Sequence, residues 1–357
     1  MKVLLLGEFS GYFTNLKKGL SELGVDCDLA ADGDGWKKID GFNDIRLFGN
    51  VKSNSRIAKF YNRILYPIIH VRELYNYDVV YIVSTTIFHP LICKWMFKHV
   101  KKHSKKTYVS VSGSNCSVFR SYVNGDLSYY VFDDNPEYCK AFDYRLKKNH
   151  KRDEQEKYIY THVDGIIPIM YEYAVGVRKY STCKKTIPIP FDAKNIEYKP
   201  NIVREKIVIM HGVIKEKCKG TDIILKALEI VKEKHSDEVE IIVDGKMPLK
   251  DYLEKLKTVN ILVDQCKEHC YGLNALYAMA EGRIVLGGAS QKSLAELNLK
   301  SSPVIHIEPN VDMIVEQLEY LISQKDNFEK MGFQSRKFVE EYHDCKVIAK
   351  QYLDLWS

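Results

Sequence analysis

Short apolar runs rich in β-branched residues alternate with stretches of helical periodicity along this chain, and that alternation restricts it to an α/β class built on parallel sheets. Val3–Leu6 reads as a strand. Phe13–Leu23 carries apolar residues at helical spacing and stops at Gly24, a natural helix C-cap. Val25–Ala30 is the next strand, Ser55–Glu73 a helix and Asp78–Val83 a strongly β-branched strand. Helix 88–103 and strand Thr107–Ser112 follow. Residues 117–160 read as irregular, Tyr-rich and charged, and Asp164–Ile169 as another strand. Strands joined by helical crossovers pair in parallel and are covered by helices on both faces.

The pattern breaks once, near residues 186–206, where Pro188, Pro190 and Pro200 fall. It then restarts: strand Lys206–Met210, helix Asp222–Lys234, strand Val239–Val243, helix 249–257, strand Asn260–Val263, a helix after Gly272 and strand 283–287. From Asn327 to Trp356 the apolar spacing is helical throughout. The 357 residues are long for one domain and comfortable for two. Two Rossmann-like parallel-sheet domains are therefore expected, over 1–192 and 193–335, with 336–357 as a closing helix.

A hydrophobic content of 45% and a charged content of 28% describe an ordinary globular chain. No stretch approaches the roughly 18 apolar residues of a membrane span. The apolar core of the N-terminus is four residues, too short for a signal peptide, so a cytoplasmic location is expected. Reduced thiols are the expectation for the nine cysteines. Cys266 and Cys270 flank His269, but the spacing matches no standard zinc pattern, and no metal is expected. Asp32-Gly33-Asp34 reads as a turn and Asp133-Asp134 as a loop pair. The net charge of +6 is clustered. Six lysines, two histidines and no acid lie between Lys94 and Lys106, around Trp95, Met96 and Phe97. Arg145, Lys147, Lys148, Lys151 and Arg152 form a second cluster. A helix packed on a sheet with its basic side outward and contact with an anionic membrane surface both fit. No nucleic-acid-binding motif accompanies the charge, and no nucleic-acid partner is expected.

Three loops have the form of ligand sites. Gly7-Glu8-Phe9-Ser10-Gly11 follows the first strand and lets backbone approach a ligand, without the full G-x-G-x-x-G pattern. His211 and Gly212 open the second half, followed by Lys215, Lys217 and Lys219-Gly220-Thr221-Asp222 at a helix start. Asp264 to Gly282 reads as a strand end, a turn at Tyr271-Gly272-Leu273 and a buried helix. Unpaired backbone N–H groups and a positive helix end at that turn suit a phosphate.

The Asp264–Gly282 stretch, Lys219-Gly220 and Ser335-Arg336-Lys337-Phe338-Val339-Glu340-Glu341-Tyr342-His343-Asp344 together resemble GT-B glycosyltransferases, in particular the retaining family 4. Tyr122–Asp126, Tyr171-Glu172-Tyr173 and Ile187-Pro188-Ile189-Pro190 resemble sequences of bacterial capsule and O-antigen clusters. The resemblance implies a sugar donor held in a cleft between two facing domains, with the closing helix crossing back onto the first. It implies transfer with retention from a UDP- or GDP-sugar to a growing glycan, lipid-linked or not, without an obligatory cofactor, at the inner membrane face. Lys219 matches the lysine that grips the leaving diphosphate; the arginine expected about five residues earlier is absent, leaving Lys215 or Lys217 as point charges. Ser112 and Asn115 stand in a segment where relatives carry a His-Gly-Ser-Asp-like sequence. Aligned on Gly272, the two family glutamates fall at His269 and Tyr277, with Glu268 one position early. The implied catalytic set is Lys219, Lys217, Ser112 and Asn115. The implied donor set is Gly7, Ser10, Gly11, His211, Gly212, Lys215, Lys219, Asp244, Glu268, His269, Tyr271, Gly272, Leu273, Asn274 and Tyr277. The displaced carboxylates support one rival, a non-catalytic binding protein of this fold; a second, a nucleotide-sugar epimerase, needs cleft carboxylates for proton handling, and the sequence places none well.

Overall fold

The computed structural model of the protein describes residues 1–32, 44–53, 55–113, 115–146, 150–213, 216–245 and 247–357. Its first sheet contains β1 (Lys2–Leu6), β2 (Asp26–Ala31), β3 (Ile45–Arg46), β4 (Tyr77–Ile82), β5 (Ser104–Val111) and β6 (Gly165–Pro168), in the order β3-β2-β1-β4-β5-β6. The pairing is parallel, with Val3 opposite Cys27 on one side and Val79 on the other. Along β1, Val3 and Leu5 enter one core cluster and Leu4 and Leu6 another, so both faces are covered. Such double-sided burial is why the strands read as continuous apolar runs.

The second sheet holds β7 (Ile207–Gly212), β8 (Val239–Asp244), β9 (Ile261–Val263), β10 (Ile284–Gly287) and β11 (Ile305–His306), in the order β11-β10-β9-β7-β8, again parallel. Its chain order reverses between β7 and β9, and that of the first sheet between β1 and β4. Crevices at the carboxyl ends of the strands open at such switch points. Lys215 and most of the Asp32-Gly33-Asp34 turn lie outside the described residues, as do Lys147 and Lys148 of the second basic cluster.

Two expectations are corrected. Residues 117–160 are not irregular: helices Cys116–Val123, Pro136–Leu146 and Lys151–His162 occupy most of them. The last of these buries Asp153, Gln155 and Glu156, so its inner face is polar and the apolar period is missing. The Glu156 carboxylate caps the first, accepting the Cys116 and Ser117 amides at 2.9 and 2.7 Å. The second correction concerns the C-terminus, where one continuous helix does not form. Helix Phe328–Tyr342 packs on helix Leu273–Ala280 of the second lobe, and the chain then turns at His343. Asp344 restarts it by accepting from the Lys346 amide, so the closing element on the first lobe is helix Cys345–Trp356, not 336–357.

That closing helix lies along helix Tyr12–Glu22. Tyr12, Tyr81 and Tyr352 join hydroxyls beneath it, and Trp356 is buried against Tyr81. The two helices meet at Gly19, where a Cβ would lie 2.0 Å from the Cys345 carbonyl oxygen. Gly19→Ala must therefore displace the closing helix, and we expect it to cost about 1–3 kcal/mol of stability, read as a lower urea midpoint. An unchanged midpoint would show that the contact is not tight.

Candidate functional site

The second lobe's switch point places two loops side by side, one after β7 and one after β9. Their close approach depends on Gly220, which has φ 74° and where a Cβ would sit 2.4 Å from Cys266 Sγ. A side chain there would be both strained and blocked. With glycine, the Cys266 amide donates to the Lys219 carbonyl at 3.0 Å, and the Lys219 side chain turns inward. Its Nζ lies 2.7 Å from Asp264 Oδ1, and Asn274 Nδ2 donates to the same oxygen at 2.7 Å. Asp264, only 1% exposed, thus holds a lysine and an amide in fixed positions.

Asn274 belongs to the first turn of helix Leu273–Ala280. Gly272 is its extended N-cap, no side chain caps the helix, and a Cβ on Gly272 would meet nothing within 4 Å. The positive end of this helix therefore faces open space. That space is a cavity of about 260 Å³, bounded in the second lobe by Lys219, Asp264, Gln265, Glu268, Gly272 and Asn274. The first lobe contributes Gly113, Tyr130, Val131, Tyr138 and Tyr173. One wall is thus polar and charged, the other largely aromatic.

Glu268 is the cavity's proton-carrying group. Burial, then the neighbouring Glu172 carboxyl, raise its pKa from 4.5 to about 8, against a hydrogen bond from Gln265. It is a neutral acid at pH 7 and can donate a hydrogen bond. Glu172 reaches across from the first lobe and accepts the His269 and Cys270 amides at 2.5 and 2.9 Å. Lys267, almost wholly buried, donates to the Asp133 carbonyl at 2.7 Å, and Tyr129 stacks on His269 at 4.1 Å between ring centres. The two lobes are therefore clamped beside the cavity.

Of the residues expected from sequence, Lys219, Glu268, Gly272, Leu273 and Asn274 converge on the cavity. Gly212 lies beside them, 3.8 Å from Asn274 Nδ2 when given a Cβ. Lys215 lies outside the described residues, and the remaining ones do not line it. Ser112 Oγ donates to the Val83 carbonyl at 2.8 Å, and Asn115 caps its helix by accepting the Val118 amide at 2.9 Å. Both side chains hold backbone in place. His211 is fully buried; its Nδ1 donates to the Val263 carbonyl at 2.8 Å and its Nε2 accepts from Thr221 at 3.0 Å. Burial keeps it neutral. His269 packs on Tyr129 and Ser290, and burial first of all lowers its pKa to about 4. Tyr271 donates to His343 Nε2 at 3.0 Å, because His343 Nδ1 already donates to the Ile189 carbonyl. Tyr277 packs edge-on against Phe191, Lys217 is exposed, and Asp244 pairs with Lys255. Gly7 packs under Val83 and Ile87, where a Cβ would be 2.5 Å from Val83 Cγ1. Ser10 and Gly11 lead into helix Tyr12–Glu22, whose first amides are taken by Glu8. Cys266 and Cys270 turn away from one another, onto the Lys219 carbonyl and the Tyr171 amide.

Sequence reasoning did not single out Asp264 or the tyrosine wall. Asp264 carried a signal, since it is the first residue after a strand at a switch point. Tyr130 and Tyr138 carried only the tyrosine density of their segment.

No protein-family model matches the sequence, and no curated protein sequence does. Solved structures do match it. A sucrose-phosphate synthase from Thermosynechococcus elongatus is 14% identical with a TM-score of 0.65, covering 100% of this chain and 98% of that one. HepE from Anabaena, solved with UDP-glucose, is 11% identical with a TM-score of 0.64, covering 99% of both chains. A variant of TarM from S. aureus, solved with fondaparinux, alpha-GlcNAc-glycerol and UDP, is 12% identical with a TM-score of 0.63, covering 100% of both. Along its whole length this chain has the two-lobed GT-B fold of those glycosyltransferases.

Proposed function

We propose that the protein is a retaining glycosyltransferase that moves a sugar from a nucleoside diphosphate sugar, UDP- or GDP-linked, to a growing surface glycan. The observation that carries this reading is the uncapped end of helix Leu273–Ala280 beside the Asp264-anchored Lys219, facing an aromatic wall from the other lobe. Backbone amides and lysine suit the diphosphate, whose negative charge grows as the sugar leaves. Lys219 needs no reorganisation, since Asp264 already holds it. Glu268, protonated, donates to a sugar hydroxyl, and the tyrosines give the sugar ring a flat apolar surface. Neither cavity acid suits a general base: Glu268 keeps its proton and Asp264 is tied to two donors. The acceptor's proton then passes to the leaving phosphate itself, on the face the phosphate vacates, which gives retention. HepE solved with UDP-glucose favours a uridine donor, and TarM solved with a glycosylated glycerol favours a glycan acceptor. A lipid-linked glycan presented at the inner membrane face fits the same role.

Lys219→Ala would strand a buried carboxylate, so the test uses Lys219→Met with Asp264→Asn. Wild-type protein should melt higher with the right member of a UDP- and GDP-sugar panel, and the double variant should bind that donor at least about tenfold more weakly. If no donor raises the wild-type melting temperature or releases its nucleoside diphosphate, the non-catalytic rival takes over.

Glu268 gives a pH signature. Above about 8 it ionises and repels the diphosphate, so kcat/KM should fall with rising pH across that value and stay flat in Glu268→Gln. Stability moves the same way. The folded chain binds a proton at Glu268 that the unfolded chain releases near 4.5, so stability declines between about 4.5 and about 8. A Glu268→Gln variant with an unaltered pH profile in both measurements would remove Glu268 from the site.

A further inference from the structure

Seven of the exposed large apolar side chains among the described residues fall between Val51 and Trp95: Val51, Ile57, Phe60, Leu65, Ile69, Leu91 and Trp95. Three of them are far too exposed to be core residues at the margin: Ile57 is 81%, Ile69 64% and Leu91 61% exposed. Scattered apolar residues need no account, but a concentrated set does.

Four of them lie on one uninterrupted helical run, Arg56–Ile69. Their spacing of three, five and four residues would spiral around a regular α-helix. It does not spiral here, because Tyr61–Leu65 is a π-turn, closed by the Tyr66 amide donating to the Tyr61 carbonyl. The wider turn absorbs one extra residue, which brings Leu65 round to the same exposed side as Phe60. Pro67 gives the turn its reason: it has no N–H to donate into the α-helical ladder and its ring crowds the preceding turn. The result is one outward stripe of Ile57, Phe60, Leu65 and Ile69, opposite the inward Ala58, Ile64 and Pro67.

The charges on this run have one sign. Arg56, Lys59 and Arg63 are exposed, and no acid occurs from Arg56 to Ile69. Arg63 lies over the Phe48 ring and 4.0 Å from Asp32; Arg56 and Lys59 make no ion pair among the described residues. Beyond the run, Glu73 is paired with His70, and Arg72 is exposed. Helix Cys93–Lys102 covers the same sheet face, since Ile64, Val71 and Leu74 share a core cluster with Cys93, Met96, Phe97 and Val100. It adds exposed Trp95, Lys94, Lys98 and Lys102, and it too carries no acid.

We infer that this side of the first lobe docks on an anionic phospholipid bilayer, with Ile57, Phe60, Leu65 and Ile69 entering the headgroup region and Arg56 and Lys59 meeting lipid phosphates. Apolar residues flanked by cations are what an interfacial helix requires. A second copy of the chain is a poor occupant, because a two-fold contact would set this acid-free face against itself. Nucleic acid would match the charge but leave the apolar stripe unused. The run is also tied to the carboxyl-end side of the first sheet: Asn62 holds the loop after β3, with the Val51 amide donating to its Oδ1 at 3.1 Å. The inference places the proposed enzyme against its acceptor's membrane, yet lipid binding needs no transfer, so the two readings fail separately.

The test is sedimentation of the full chain with vesicles of phosphatidylcholine alone and of phosphatidylcholine with phosphatidylglycerol. Wild type should bind the anionic vesicles, release them with added salt, and leave the neutral ones in solution. The triple change Ile57→Ser, Phe60→Ser, Ile69→Ser and the double change Arg56→Glu, Lys59→Glu should each reduce the bound fraction at limiting lipid by about tenfold. These side chains are exposed, so both variants should keep the wild-type melting temperature. Should one fail to fold, the other decides. Wild-type protein that ignores anionic vesicles, or variants that bind like wild type, would overturn the inference. So would a wild-type dimer that the triple variant converts to monomer.

Discussion

The buried carboxylate of Asp264 is the constraint around which the candidate site is arranged. A charge this deep is costly unless it is paired and hydrogen-bonded. Asp264 therefore requires Lys219 Nζ and Asn274 Nδ2, both at 2.7 Å. Lys219 comes from the turn after β7 and Asn274 from the helix after β9. One carboxylate thus fixes two elements that are distant in sequence. The lysine is thereby held in the wall of the cavity onto which the helix end also opens. Gly220 is the backbone condition for this arrangement, since a side chain there would collide with Cys266.

The second lobe supplies the charged half of the cavity, and the first completes it only if the two are held together. Three kinds of contact do so. The closing helix lies on helix Tyr12–Glu22, Glu172 accepts two amides of the loop before Tyr271, and Lys267 reaches the Asp133 carbonyl. The His343 turn ties these together. Its amide-to-amide neighbour Phe191 donates to the His343 carbonyl at 2.6 Å, while the imidazole links Ile189 to Tyr271. The chain therefore crosses between lobes at the place where the anion-facing loop is anchored. Motion of one lobe would be felt at Tyr271, one residue before Gly272.

Much of this was legible in the sequence because strands buried on both faces announce themselves. Val3–Leu6 and Ile284–Leu286 are apolar at every position. The β7 strand was read two residues short, because His211 and Gly212 break the apolar run while remaining in the ladder with β8. The region 117–160 was misread for the opposite reason, clearest in helix Lys151–His162, which buries acids and an amide that periodicity counts as surface. Within the site, Gly272–Asn274 follow from a strand, a turn and a helix start in sequence order, whereas Lys219 and Glu268 were indicated by the family resemblance. The side chains of Ser112, Asn115 and His211 look equally available in sequence. Their fate depends on backbone partners such as Val83 and Val263, which only the folded chain brings near. Tyr130 and Tyr138 of the tyrosine wall were hidden because they come from a segment that no apolar period marks.

The distribution of charge gives the fold a consistent polarity. The chain carries an excess of six positive charges, yet among the described residues its cavity holds Asp264 and Glu268, with Glu172 behind them, against Lys219. The excess lies elsewhere, much of it on the helices that cover the outer face of the first sheet. Among the described residues no second cation lines the cavity beside Lys219, and burial keeps Glu268 protonated and able to donate. Many cations on an outer face attract an extended anionic surface at long range without fixing any one group. A small anion is better held by the amides of the cleft and by Lys219, which are converging and preorganised. The two faces therefore sort their partners by geometry as well as by sign.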